Sequence, residues 1–335
     1  MVDLTRREFW QGLTAMTAAL AVPSMGGAAD GERDKFGPLL PKRKLGNGGP
    51  AVTMLGVGGA HISDASEKDA QAIIETAMAE GVRFFDTAAM YGGGQSERRY
   101  GAMLVPKYRD HIFLMTKSTA GDGKSAAREL DESLSRLRCE YVDLWQIHSL
   151  MSAGDAESRV KNGVLDVFLD AQKRGKVRHI GFTGHTDFRS HVRMTELLRE
   201  RGVKVVSAQM PINVVDPHHE SFVENAVPPC VAAGIGVIAM KTMAFGRLLG
   251  QRRGWRRNNV AFEGAIPGAV AFEDAMRFVW SLPISVLVSG MESPTQVRQN
   301  AKLARTFNPL TDAERQALLT KTKNFAGPNV EFYKG

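Results

Sequence analysis

The feature that most constrains this 335-residue chain is an alternation repeated along most of its length. Eight short apolar runs rich in β-branched residues lie at 52–57, 83–86, 112–116, 141–147, 179–182, 205–209, 236–240 and 285–288. Between them run longer amphipathic stretches. In 67–80, Ala70, Ile73, Ile74 and Ala77 share one helical face, and in 125–138 Leu130, Leu134 and Leu137 do so. The segments 164–174, 191–201, 220–233 and 272–280 have the same character. Short strands alternating with helices specify a parallel sheet with crossover connections. Eight such units in about 250 residues predict a closed (β/α)8 TIM barrel rather than an open sheet. Gly81, Gly175, Gly202 and Gly234 fall where each helix must turn left-handed into the next strand. Residues 43–45 and 51–53 flank Asn47-Gly48-Gly49, which predicts a β-hairpin under the barrel floor. The barrel is expected to occupy residues 40–327 as one domain.

The first 29 residues read differently. Arg6-Arg7 precede an Ala-rich apolar stretch from Leu13 to Val22, and small residues end at Ala28-Ala29. Paired arginines, a short and mildly hydrophobic core and a small-residue site predict a twin-arginine signal peptide at 1–29, with the twin-arginine translocase as partner and a periplasmic destination. The run is too short to span a bilayer, so no stable membrane insertion of the mature chain is expected. The composition, 43% hydrophobic and 24% charged, is that of a globular protein. The net charge of +7 is mostly dispersed. Its one dense cluster, Arg247, Arg252, Arg253, Arg256 and Arg257, has only Trp255 among it, which argues against nucleic-acid binding. A solvated loop and a position beside a cofactor phosphate are the two remaining readings. Cys139 and Cys230 form no CxxC, so neither a Cys-rich zinc site nor a dithiol is indicated, and two free thiols are expected.

In a barrel of this kind chemistry sits at the C-terminal ends of the strands. Asp86, Lys117, His148, Gln209 and Met240-Lys241 fall there, with Tyr91 in the turn after Asp86. A free phenol, with a pKa of about 10, is a poor proton donor or acceptor near neutrality, and a neighbouring ammonium lowers that value. Lys117 supplies the ammonium, Asp86 keeps it charged and aimed, and His148 orients a carbonyl oxygen. Each has a plainer reading: a structural Asp86–Lys117 pair, a loop tyrosine, a core histidine. Two nucleotide motifs are incomplete. Gly123-Lys124-Ser125 lacks the first P-loop glycine, because position 118 is Ser118, and Gly56-Val57-Gly58 lacks the third Rossmann glycine, because position 61 is His61.

The run Gly81-Val82-Arg83-Phe84-Phe85-Asp86-Thr87-Ala88-Ala89-Met90-Tyr91-Gly92 with Ser96-Glu97, then Thr116-Lys117 and Tyr141-Val142-Asp143-Leu144-Trp145-Gln146-Ile147-His148, resembles the signature of the aldo-keto reductases. Leu55-Gly56-Val57-Gly58 fits as well, and the resemblance runs from about Lys44 to Phe325. It implies hydride transfer between NADP or NAD, with NADP slightly favoured, and a small-molecule carbonyl or alcohol. Tyr91 is then the general acid/base, Asp86 and Lys117 tune it, and His148 positions the carbonyl. It further implies a dinucleotide lying extended across the barrel mouth, touched by Gly58, Thr183, Gln209, Met240, Lys241, Gly246, Leu248, Gly290, Gln296 and Asn300. Three departures stand out. Thr183-Gly184-His185 stands where members often have Ser-Asn, leaving His185 either to replace that amide or to face the substrate. Met240 stands where many members stack an aromatic ring. Ser293 and Gln296, with Arg298 close by, stand where members that prefer NADP usually have basic residues for the 2′-phosphate. Two other readings are a Schiff-base lyase using Lys117 or Lys241, and a cofactor-sensing barrel subunit without fast turnover. The loops 149–162, 211–220 and 246–271 should set the substrate.

Overall fold

The structure is a computed structural model that describes residues 32–249 and 270–335. The leader expected at 1–29, and Arg252, Arg253, Trp255, Arg256 and Arg257, lie outside the described residues. Two short hairpins come first: β1 (Arg33–Asp34) with β2 (Gly37–Pro38), and β3 (Lys42–Lys44) with β4 (Ala51–Thr53). Eight parallel strands follow and close on themselves in chain order: β5 (Leu55–Gly58), β6 (Phe84–Asp86), β7 (Phe113–Ser118), β8 (Val142–Leu150), β9 (Val177–Gly184), β10 (Ser207–Pro211), β11 (Gly236–Met240) and β12 (Val286–Ser289). The barrel expected from the alternation is therefore present.

Several boundaries moved for physical reasons. The expected strand at 52–57 is two elements, because β4 pairs antiparallel with β3 while β5 enters the barrel between β6 and β12. Strands β7 and β8 run past their expected ends, so Lys117 and His148 lie within strands. The expected helix at 220–233 is two pieces, Phe222–Asn225 and Val227–Ala232, the second carrying Pro228-Pro229 in its first turn. Proline at the first helical turn has no N–H to give to a preceding turn, which ends the first piece. Gly81, Gly175, Gly202 and Gly234 all have left-handed backbones, as their positions require.

The barrel interior is filled rather than open. Leu45 and Val52 of the β3–β4 hairpin pack with Phe84, Met115, Leu144, Val206, Ile238, Val286 and Val288, sealing the floor. Asn47 donates its backbone N–H to the carbonyl of Gly234, just before β11 begins, at 2.8 Å. Outside, the helix faces meet the strands. Trp145 stacks on Phe168 of the helix Val164–Lys173 with ring centres 3.6 Å apart. With its floor plugged, the barrel has its working face at the strand C-termini.

Candidate active site

Asp86 ends β6, and Lys117 stands at the next-to-last position of the neighbouring β7. Parallel pairing of β6 with β7 and of β7 with β8 sets these ends side by side. Lys117 is almost fully buried. Its ammonium donates to a carboxylate oxygen of Asp86, to the backbone carbonyl of Thr87 at 2.9 Å and to the hydroxyl oxygen of Tyr91 at 3.2 Å. Three acceptors match the three protons of the group. Tyr91 reaches this position through a glycine turn, with Gly92, Gly93 and Gly94 all left-handed. Its ring stands edge-on to His148 with centroids 5.7 Å apart. The four residues expected to act together are thus brought together.

The electrostatics differ from the sequence expectation at one point. Burial raises the Tyr91 phenol well above its usual value, and the Asp86 carboxylate pushes the same way. The ammonium of Lys117 does not reverse this, because Asp86 balances its charge at close range. The resting phenol is therefore protonated. Burial lowers the Lys117 ammonium's pKa, and Asp86 opposes that. His148 is held well below the usual imidazole range, first by burial, then by Lys117, His185, Lys241 and Arg159. It is neutral near pH 7, and its buried Nδ1 has no hydrogen-bond partner.

The residues expected to hold a dinucleotide fall into two groups. Gln209 joins the first: its amide N–H donates to Asp86 at 3.2 Å, while its buried Oε1 has no partner. Thr183 is buried on β9 opposite Gln209, and Met240 ends β11. Lys241 follows it with a left-handed backbone. Gly246 is left-handed too, and Leu248 is buried in the core. The second group lies across β12 and β5. A Cβ on Gly58 would come 3.1 Å from the Ser289 carbonyl, and one on Gly290 would run into the ring of His61. Gln296 accepts the Glu292 backbone N–H at 2.7 Å, and Asn300 donates to the Gln296 carbonyl at 2.7 Å. The Asn300 Oδ1 is buried without a partner. This group meets the first through the β5–β6 pairing, where Gly58 stands opposite Asp86.

Sequence reasoning missed two supports of the site. Glu97 is fully buried, accepts from Thr116 Oγ1 at 2.5 Å and from Arg136 Nε at 2.6 Å, and so fixes the residue just before Lys117. The run Ser96-Glu97 was in view, but nothing in it named a partner 39 residues away. The other support is the C-terminal tail, which folds onto the loops after β9, β10 and β11. Lys334, fully buried, pairs with Asp216 at 2.7 Å and Glu331 at 2.8 Å. Asn213 donates to Glu331 at 2.8 Å and to the Tyr333 hydroxyl oxygen at 2.9 Å. No local periodicity marks such a tail.

Comparison with known proteins agrees with the fold. The model of the family described as "Aldo/keto reductase family" matches residues 54–262. L-galactose dehydrogenase of Arabidopsis thaliana is 28% identical over 317 residues, covering 86% of this chain and 97% of that protein. An aldo-keto reductase of Bacillus halodurans in its holo form superposes with a TM-score of 0.68 at 22% identity, covering 84% of this chain and 96% of the other. An aldo-keto reductase of Bombyx mori, solved in complex with NADP, gives a TM-score of 0.65 at 19% identity over 85% of this chain and 94% of the other. The family model spans most of the barrel, including β6, β7 and β8 that carry the strand-end cluster, and this chain belongs to the aldo/keto reductase family.

Proposed function

We propose that this chain is an NAD(P)-dependent oxidoreductase acting on an aldehyde or ketone, with Tyr91 as the general acid/base. The observation that carries the reading is the Lys117 ammonium, bound at once to Asp86 and to the Tyr91 hydroxyl oxygen at 3.2 Å. Because Lys117 donates to that oxygen, the phenolic proton is left for a carbonyl oxygen docked between Tyr91 and His148. The neutral His148 ring offers an N–H to the same oxygen and fixes its direction. As the phenol gives up its proton, the ammonium beside it stabilises the phenolate that remains, and Asp86 keeps Lys117 charged throughout. In the opposite direction the phenolate takes the proton from an alcohol.

The residues present fit a dinucleotide. Gln209 has its N–H on Asp86 and its Oε1 bare, which suits a carboxamide donor, and the bare Asn300 Oδ1 suits an adenine amino group. Met240 lies where its thioether can cover a ring face. When bound, a nicotinamide supplies or takes the hydride. The NADP complex of the Bombyx mori relative and the name of the Arabidopsis thaliana dehydrogenase support this assignment. A Schiff-base reaction at Lys117 is disfavoured, since all three ammonium protons are held by acceptors. Borohydride trapping with an aldehyde reads the remaining candidate, Lys241.

The test is direct. The purified chain, given NADPH or NADH and a panel of aldehydes and ketones, should oxidise the dinucleotide in step with alcohol formed, and deuterium on the reduced nicotinamide should slow the single-turnover rate. Dinucleotide binding with no oxidation of it by any carbonyl would favour the cofactor-sensing subunit instead. We also propose that residues 1–29 direct export by the twin-arginine route. Arg6→Lys with Arg7→Lys should hold the chain in the cytoplasm on cell fractionation, and continued export of that variant would contradict the leader.

A further inference from the structure

The helix layer reaches the working rim beside Gln209. Register sets Thr183 of β9 opposite Gln209 of β10, and their ladder ends at that pair. There His191, in the first turn of the helix Phe188–Glu200, places its Nε2 3.0 Å from the Gln209 carbonyl oxygen. A carbonyl only accepts, so Nε2 carries the proton. Burial pulls the pKa of the ring down to about 4, which leaves it neutral with that single N–H. The imidazole is fully buried and meets the rings of Phe182 and Phe222, each with centroids 5.3 Å away. Its Nδ1 lies 3.2 Å from the Ser190 hydroxyl oxygen. Gly184 makes this approach possible. A Cβ there would run into the Leu150 carbonyl oxygen and come 3.1 Å from His191 Cε1. Glycine within a strand often marks such a close approach. Directly after Thr183, β9 therefore brings no side chain to the rim.

We propose that His191 is a positioning residue that fixes Gln209 for the nicotinamide carboxamide. The role of Gln209 rests on the function proposed above; the bond that holds Gln209 does not. Two ties set this residue. Its side-chain N–H donates to Asp86 at 3.2 Å, which aims the bare Oε1, and its carbonyl oxygen is held by His191. The carbonyl bond fixes the peptide plane from which the Gln209 side chain springs. Loosening it lets Oε1 drift relative to Asp86, and a binding contact is only as exact as the shell that supports it. His191 itself is packed among Phe182 and Phe222 in the helix layer, so it acts through Gln209 and not on the dinucleotide. A histidine that only held the fold would weaken every ligand alike when replaced. One that aims Gln209 weakens only the ligands that carry the carboxamide.

Calorimetric titration of the full chain compares each dinucleotide with the same molecule lacking nicotinamide: NADP against 2′-phospho-ADP-ribose, and NAD against ADP-ribose. His191→Phe keeps a buried ring and removes the donor. It should weaken the better-bound dinucleotide about three- to tenfold, the size of one neutral hydrogen bond, and leave the nicotinamide-free counterpart within about twofold of native. His191→Gln, whose amide N–H reaches about as far as Nε2, should recover most of the loss. Adding His191→Phe to Gln209→Leu should change dinucleotide affinity by less than about twofold, because the residue it acts through is gone. Equal weakening of dinucleotide and counterpart overturns the proposal. So do additive losses in the double variant, or unchanged dinucleotide affinity in His191→Phe. If the phenylalanine variant does not fold, His191→Asn, whose shorter amide stops short of the Gln209 carbonyl, reads the same contrast. Dinucleotide bound with this contrast but never turned over would sink the reductase reading and leave the positioning role standing; turnover without the contrast would do the reverse. A native chain that binds neither dinucleotide overturns both.

Discussion

At the scale of single residues, the chemistry turns on where one proton rests. Tyr91 was expected to have its pKa lowered by Lys117, yet burial and Asp86 hold the phenol well above its usual value. The difference follows from neutralisation: Asp86 pairs with Lys117 so closely that the phenol meets a near-neutral pair in a poorly hydrated site. A protonated phenol is the form a carbonyl reduction needs. The rate of reduction, read as kcat/KM against pH, is therefore expected to stay flat from about pH 6 to pH 9, because Tyr91 keeps its proton and His148 stays neutral. Alcohol oxidation, which needs the phenolate, should climb with pH over the same span. Loss of reduction on the alkaline side near pH 8 would show a lowered phenol instead. Lys117→Met should cost about a hundredfold to ten-thousandfold in kcat, the range of general acid–base catalysis, and its oxidation profile should shift to higher pH. A drop in kcat without that shift would reduce Lys117 to a structural role.

At the scale of elements, the tail and the loop after β10 depend on each other. Asp216 accepts from Lys334, from the backbone N–H groups of Phe222 and Val223, and from the Ser221 hydroxyl. Asp216→Ala would leave a buried ammonium with Glu331 as its remaining carboxylate partner and would strip two N–H groups, a loss of about 3–5 kcal/mol. Chemical denaturation should read this as a lower midpoint; a change under about 0.5 kcal/mol would mean that the tail is a loose cover. The tail also marks the limit of what the residues disclosed. Strands and helices were legible because burial on one or both faces writes a period into the chain, and Gly81, Gly175, Gly202 and Gly234 punctuated it. Asp86, Tyr91, Lys117 and His148 were legible because a barrel sends each strand end to one rim. Glu97, Asp216 and Lys334 were not. Their partners are distant in sequence, and a buried charge reads like a surface charge until the fold encloses it. The 52–57 run misled for a related reason: a floor hairpin and a barrel strand, both apolar, abut at Met54.

At the scale of the whole molecule, the barrel is a scaffold with one working rim. Its floor is plugged, its helices shield the strands, and no helix among the described residues is long and apolar enough to cross a membrane. The proposed export of a folded barrel carries a chemical consequence, since free dinucleotide is expected to be scarce outside the cytoplasm. A chain loaded before export should retain NADP or NAD through purification, which mass spectrometry of the denatured protein would detect. Protein recovered free of dinucleotide from the exported fraction would contradict pre-loading. The central claim, that Tyr91 moves the proton while other residues hold the dinucleotide, is tested most directly by Tyr91→Phe. Its dinucleotide dissociation constant should stay within about twofold of native while carbonyl reduction falls by about a hundredfold to ten-thousandfold. Reduction within a few-fold of native in that variant would contradict the assignment.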